Sequence, residues 1–190
     1  MPGEFLQIDA AQKDIKKLQE GESAPALKKS VEKYQSTFFA EVDNVQDELK
    51  KTEDQLTSSE AKTLLNQTGT AKIAELLIKA AQEGSKIQQS DNKENIAQFE
   101  QLAQELQAFL NEEKNELPNF TAIDQVEKQN NQLEAQPPNN DPEKLIQSKK
   151  DLLSQLPATT KASTPYKETV QTKLQESLST LNILKNDQAT

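Results

Sequence analysis

Apolar residues recur at alternating intervals of three and four along almost the whole chain, and that rhythm dictates helices. Ile8, Ala11, Ile15 and Leu18 make the first such line. Steps of three and four return a side chain to the same side of a 3.6-residue helix, so these residues form one buried stripe. The longest stripe runs through Leu27, Val31, Tyr34, Phe38, Val42, Val45, Leu49 and Leu56, close to heptad spacing. Read as one helix, residues 25–57 would be about 50 Å long at ~1.5 Å per residue. A third line takes in Ala61, Leu64, Leu65, Ala71, Leu76, Leu77, Ala80 and Ile87. Ile96, Phe99, Ala103, Leu106 and Leu110 make the cleanest one. Residues 119–136 carry a weaker line of Ile123, Val126 and Leu133, with Asn130 where an apolar residue is expected. Two more follow: Leu145, Lys149, Leu152 and Leu156, then Tyr166, Val170, Leu174, Leu178, Leu181 and Leu184. No segment alternates with β-branched content, so no strand is expected. The fold class read from this pattern is all-α: an elongated antiparallel helical bundle of about six to seven helices, four of them long, with coiled-coil-like packing.

Caps and breakers divide the stripes. Gly21 is a natural stop, and Ser23-Ala24-Pro25 opens the next helix with Ser23 as N-cap. Thr57-Ser58-Ser59-Glu60 and Asp91-Asn92-Lys93-Glu94 read as capping boxes. Gly69 weakens the middle of its helix and predicts a kink or a turn there. Leu117-Pro118 is expected to end the fourth helix, because Pro disfavours α geometry in the residue before it. Asp141 and Pro142 restart a helix as N-cap and first residue, Leu156-Pro157 ends it, and Pro165 opens the last one.

The organisation expected is residues 6–136 as a main bundle, a Pro-rich break at 137–142, and a C-terminal helical hairpin over 143–190 that can pack on the same bundle. Residues 1–5, Met-Pro-Gly-Glu-Phe, read as a vector scar, since an EcoRI site encodes Glu-Phe in frame; they are set aside from fold reasoning. The natural segment is then expected to begin near Leu6, after a removed targeting sequence. Lys13-Asp14-Ile15 with Ser23-Ala24-Pro25 echoes Lys150-Asp151-Leu152 with Ser163-Thr164-Pro165. Such helix punctuation is common, and chance convergence is the reading taken.

Composition excludes more chemistry than it suggests. All 22 basic residues are Lys, against 31 Asp and Glu, for a net charge of −9; His, Cys, Arg and Trp are absent. Without His or Cys there is no serine triad, no Cys–His dyad, no zinc site and no Glu-x-x-His di-iron site. Without Arg there is no bidentate phosphate clamp. An acidic chain is a poor partner for nucleic acid. The longest apolar run is three residues, as in Phe38-Phe39-Ala40, against the ~20 needed to span a bilayer. Mean hydropathy of −0.84 leans toward disorder. The periodicity and the scarcity of Gly decide for folded helices, with 23 Gln and 13 Asn supplying polarity without charge repulsion.

Few residues stand out as sites. Glu112, Glu113 and Glu116 crowd the expected end of the fourth helix, where the dipole opposes them; a solvated charged face is expected, not a cation site. Gly69 and Gly84 sit in no phosphate-binding pattern. Asn66 and Asn119 head glycosylation sequons. Phe38 and Phe39 are adjacent in mid-helix, where one ring fits the seam and the other widens the core or meets a partner or lipid. Phe39 is the candidate contact residue; no catalytic, cofactor or metal residue is expected.

The reading is a non-enzymatic helical-bundle protein, secreted or surface-exposed, acting as a binding module or spacer for a protein partner. In build, a helical bundle of similar length and low aromatic content, it also resembles the exchangeable apolipoproteins, such as insect apolipophorin III. That resemblance is one of composition and helix count. It implies a lipid-binding bundle that opens to lay apolar faces on lipid. The Pro-Pro-Asn-Asn-Asp-Pro break departs from a simple five-helix bundle. A hydrolase working with paired carboxylates is the third class, and helical stripes supply no deep pocket for it.

Overall fold

The structure is a computed structural model and describes residues 2–20, 24–89, 93–135, 141–159 and 161–189. Every regular element among them is helical, and the helices pack on one another. In chain order these are α1 (Pro2–Lys17), α2 (Pro25–Lys33), α3 (Val42–Gln55), α4 (Ser59–Leu65), α5 (Ala71–Gln89), α6 (Lys93–Ala135), α7 (Pro142–Gln155) and α8 (Thr164–Ala189). Two π-helical turns, Ser36–Glu41 and Asn66–Thr70, join α2 to α3 and α4 to α5. The chain forms two compact units, Met1–Lys51 with Leu65–Asn115, and Thr52–Leu64 with Glu116–Thr190. These units are drawn along a different line from the Pro-rich break, whose residues 136–140 lie outside the described residues.

The π turns have a cause in the stripe. Buried Tyr34, Phe38 and Val42 follow one another at intervals of four. In an α-helix each such step overshoots one turn by about 40°, so successive fours walk off the buried face. A π turn takes up one extra residue and resets the phase. The second case is stronger: Ala61, Leu65, Gly69, Ile73 and Leu77 are all buried at intervals of four, and Asn66–Thr70 is the π turn in their midst. Gly69 also lets neighbours close in, because a Cβ there would lie 2.8 Å from both Leu49 Cδ2 and Glu113 Oε1. The expected long helix over 25–57 is therefore interrupted, and it ends at Gln55.

In the first unit α1 lies along α5 and buries Ile8 and Ile15. Gln12 ties α1 to the first π turn: its Nε2 donates to the Phe38 carbonyl at 2.9 Å and to Asp43 Oδ1 at 3.1 Å. Residues 3–5, set aside on the sequence, continue α1, and Lys50 Nζ stands 4.7 Å from the ring centroid of half-buried Phe5. Tyr34, Phe38 and Phe99 fill the centre, with Phe38 and Phe99 centroids 5.6 Å apart.

The expected stop at Leu117-Pro118 is overturned. Helix α6 runs through Pro118 without a break, so residues 119–135 are not a separate helix. Proline in a helix interior costs about 3 kcal/mol. Burying Leu117 and Phe120 contributes roughly 1.5–3 kcal/mol each, which outweighs it. The stripe Leu106, Leu110, Leu117, Phe120 keeps its phase across the proline.

The caps are mixed. Ser58, not Thr57, caps α4: its Oγ accepts from Ala61 N at 3.3 Å. Ala24 occupies the N-cap of α2, while Gly21 and Ser23 lie outside the described residues, as do Asp91 and Asn92 of the second capping box. Asp141 caps α7 by accepting from Glu143 N at 3.2 Å, with Pro142 in the first turn. Leu156 is extended ahead of Pro157 and ends α7.

Pro118→Ala tests the continuity of α6. Pro118 is exposed, so the exchange alters little packing. It should raise unfolding stability by about 2 kcal/mol, the helix gain less the lost stiffness of the unfolded chain. Urea denaturation measures this; a change near zero would mean that the helix is broken there.

Candidate functional site

Phe39, the residue singled out on the sequence, stands off the buried seam. Phe38 is fully buried, and Phe39 is half-buried beside it with centroids 6.4 Å apart. The Phe39 ring borders a surface hollow of about 200 Å³ shared with Asp9, Lys13, Lys16 and Asp43. Gln12 forms part of the wall, and its amide is held by the bonds to Phe38 and Asp43. The hollow thus offers one aromatic face and flanking charges of both signs.

The glutamates near residue 113 are not a solvated face. Glu112 is exposed, but Glu113 and Glu116 are buried. The reason is the continuity of α6: with no helix end at Pro118, these residues stand mid-helix and on or beside the apolar stripe. Glu116 accepts from Ser163 N at 2.8 Å and from the Ser163 hydroxyl, just before α8 begins.

Asp124, two turns further on, does the same for α4. It is 1 % exposed and accepts from Thr57 N, Thr57 Oγ1 and Ser58 N, all at 3.1 Å. One helix therefore supplies the capping carboxylates for the chain entering two others.

Tyr166 links the same carboxylates. Its ring stacks on Phe120 at 6.1 Å, and its hydroxyl lies 3.4 Å from both Asp124 and Glu127. Burial, reinforced by the negative charges of Glu127 and then Asp124, pushes the Tyr166 hydroxyl well above its ordinary pKa. Lys173 approaches Glu127 at 3.6 Å. Further along α6, Lys149 of α7 is 2 % exposed. Its ammonium donates to Asn130 Oδ1 at 3.0 Å, to Glu134 Oε1 at 3.2 Å and to the Ser177 hydroxyl. Asn130 and Lys149 each interrupt an apolar stripe, and that shared irregularity is the signal that pairs them. For Asp124, Glu127 and Tyr166 no local motif announces the network.

Chemically, this line of acids and lysine holds helices in register. Among the described residues no group of three or more acids is arranged to hold a metal ion, and no helix is long and apolar enough to cross a membrane. The Asn66 sequon falls in the second π turn and the Asn119 sequon inside α6. Comparison with protein-family models, curated proteins and solved structures finds no match to this chain.

Tyr166 makes stability sensitive to base. Its folded pKa lies above the unfolded value near 10, so its contribution is complete below about pH 10 and is lost as pH rises beyond that. Urea midpoints between pH 9 and 11.5 should fall less steeply for Tyr166→Phe than for the parent chain. Equal slopes would show that the hydroxyl is not held in the buried network.

Proposed function

We propose that this chain is a non-enzymatic binding module that meets a protein partner through a helical face, in a secreted or surface-exposed setting. The observation that carries the reading is the split between Phe38 and Phe39. One ring fills the core while its neighbour faces a hollow with unlike charges around it. An aromatic ring held half-open by a rigid seam beneath it is a low-entropy contact surface. Burial of Glu116, Asp124 and Lys149 behind hydrogen bonds supports binding over catalysis, since a catalytic group must reach substrate.

The lipid-carrier reading is less well supported. The faces that would unfold onto lipid carry Glu116, Asp124, Glu127 and Lys149 among their apolar residues. Charges on the lipid-facing side of a helix oppose insertion.

Phe39→Ala is the test. It should cost about 1 kcal/mol in unfolding stability, against ~3–5 kcal/mol for truncating a core Phe. A photocrosslinking side chain at position 39 should trap a partner from the native setting, and Ala there should abolish co-purification of that partner. Addition of phosphatidylcholine vesicles should leave light scattering and circular dichroism unchanged. A stability loss of core size would retire Phe39 as a contact surface, and clearing of the vesicles would favour the lipid carrier.

A further inference from the structure

In the second unit α6 and α8 run side by side in the same direction. Glu116 meets Ser163, Phe120 meets Tyr166 and Glu127 meets Lys173, each pair one or two turns beyond the last. Helix α7 returns between them on one side, placing Lys149 against Asn130, Glu134 and Ser177 and pairing Glu143 with Lys185 at 2.9 Å. On another side the α3–α4 turn sits in the groove between α6 and α8, with Thr57 and Ser58 on Asp124, which the Tyr166 hydroxyl also approaches.

That turn covers only the upper part of the groove. Below it lies an open pocket of about 390 Å³ lined by α6 and α8, including Asn130, Glu134, Lys173, Glu176, Ser177 and Leu181. Asn130 is 4 % exposed, and its Oδ1 is turned to Lys149. An ammonium only donates, so the amide Nδ2 must face elsewhere, and no acceptor meets it among the described residues. The Ser177 oxygen accepts from Lys149, which leaves its proton to donate. At the lower end Leu184, the last member of the α8 stripe, is 49 % exposed.

We propose that this groove is the seat of a basic amphipathic helix from a protein partner, which would take the position that the α3–α4 turn leaves open. Apolar side chains of the incoming helix would cover Leu181 and Leu184, and polar ones would meet the Asn130 amide and the Ser177 hydroxyl. Its basic flank is specified by charge. Lys149 and Lys173 are already matched by Glu134 and Glu127, whereas exposed Glu176 pairs with no lysine among the described residues. The chain's net charge of −9 would add long-range attraction. This inference rests on the reading that the chain works by binding, and it is independent of Phe39.

The probe is a labelled peptide of about 18 residues, five helical turns, built from Leu and Lys, with a Leu–Glu counterpart. Fluorescence anisotropy with the full chain should show saturable one-to-one binding of the Leu–Lys peptide and none of the Leu–Glu peptide. Leu184→Asp and Glu176→Lys should each weaken binding at least tenfold without moving the thermal midpoint, because both side chains are exposed. Phe39→Ala should leave this binding unchanged, which separates it from the test of the first surface. Equal affinity for all variants would mean attraction by net charge alone and would overturn the proposal. So would absence of binding, or a Leu184→Asp effect seen with phosphatidylglycerol vesicles and not with the peptide.

Discussion

Helix α6 holds the second unit together through acids turned inward. Asp124 satisfies the backbone ahead of α4, and Glu116 does the same ahead of α8. Helix starts present amide protons with no partner in their own helix. Ser58 caps α4 from within its own turn, while a distant helix supplies the acceptor for the N–H groups of Thr57, Ser58 and Ser163. Tyr166 and the Lys149 cluster extend the arrangement along α6, so that register is set by polar contacts as well as by packing. A slip of one turn between α6 and α8 would part Glu116 from Ser163 and Tyr166 from Asp124 and Glu127. Buried polar groups left unpaired cost far more than a misplaced methyl group, which makes the alignment discriminating.

Much of the fold was legible in the spacing. The stripe from Ile8 to Leu18 is buried as its periodicity demands, and so is the next helix's from Phe99 to Leu110, with Ile96 half-buried at its start. Asp141-Pro142 and Leu156-Pro157 punctuate α7 as their local chemistry requires. Misreadings came where local and global preferences disagree. Pro118 is unfavourable within a helix, but Leu117 and Phe120 bind the two halves into one stripe. The same error displaced Glu113 and Glu116 to a supposed helix end and hence to water. The π turns were partly visible: runs of consecutive fours from Tyr34 to Val42 and from Ala61 to Leu77 mark them, although Gly69 alone suggested only a kink.

The candidate sites were less legible, for a reason of distance. Phe39 could be picked out because two large rings in succession cannot both enter a narrow seam. The capping carboxylates could not, because Asp124 and Thr57 stand 67 positions apart and neither departs from ordinary usage for its own surroundings. Asn130 and Lys149 fall between these cases. Asn130 looked out of place alone while Lys149 was counted in its stripe, and only the packing of α7 against α6 shows that each is the other's remedy.

The path of the chain has a consequence for how the protein emerges from the ribosome. The polypeptide enters the first unit, contributes Thr52–Leu64 to the second, returns to the first, and only then builds the rest of the second. The turn at Thr57 and Ser58 is thus synthesised long before Asp124 exists to receive it. Until α6 is complete, that stretch has its exposed backbone donors met by water, and neither unit corresponds to a contiguous piece of the message. Contacts spanning such separations slow folding, because loop closure must precede the interactions that reward it. A cut after Asn115 would leave the first unit all its segments and deprive the second of Thr52–Leu64, so the second unit can mature only with the whole chain.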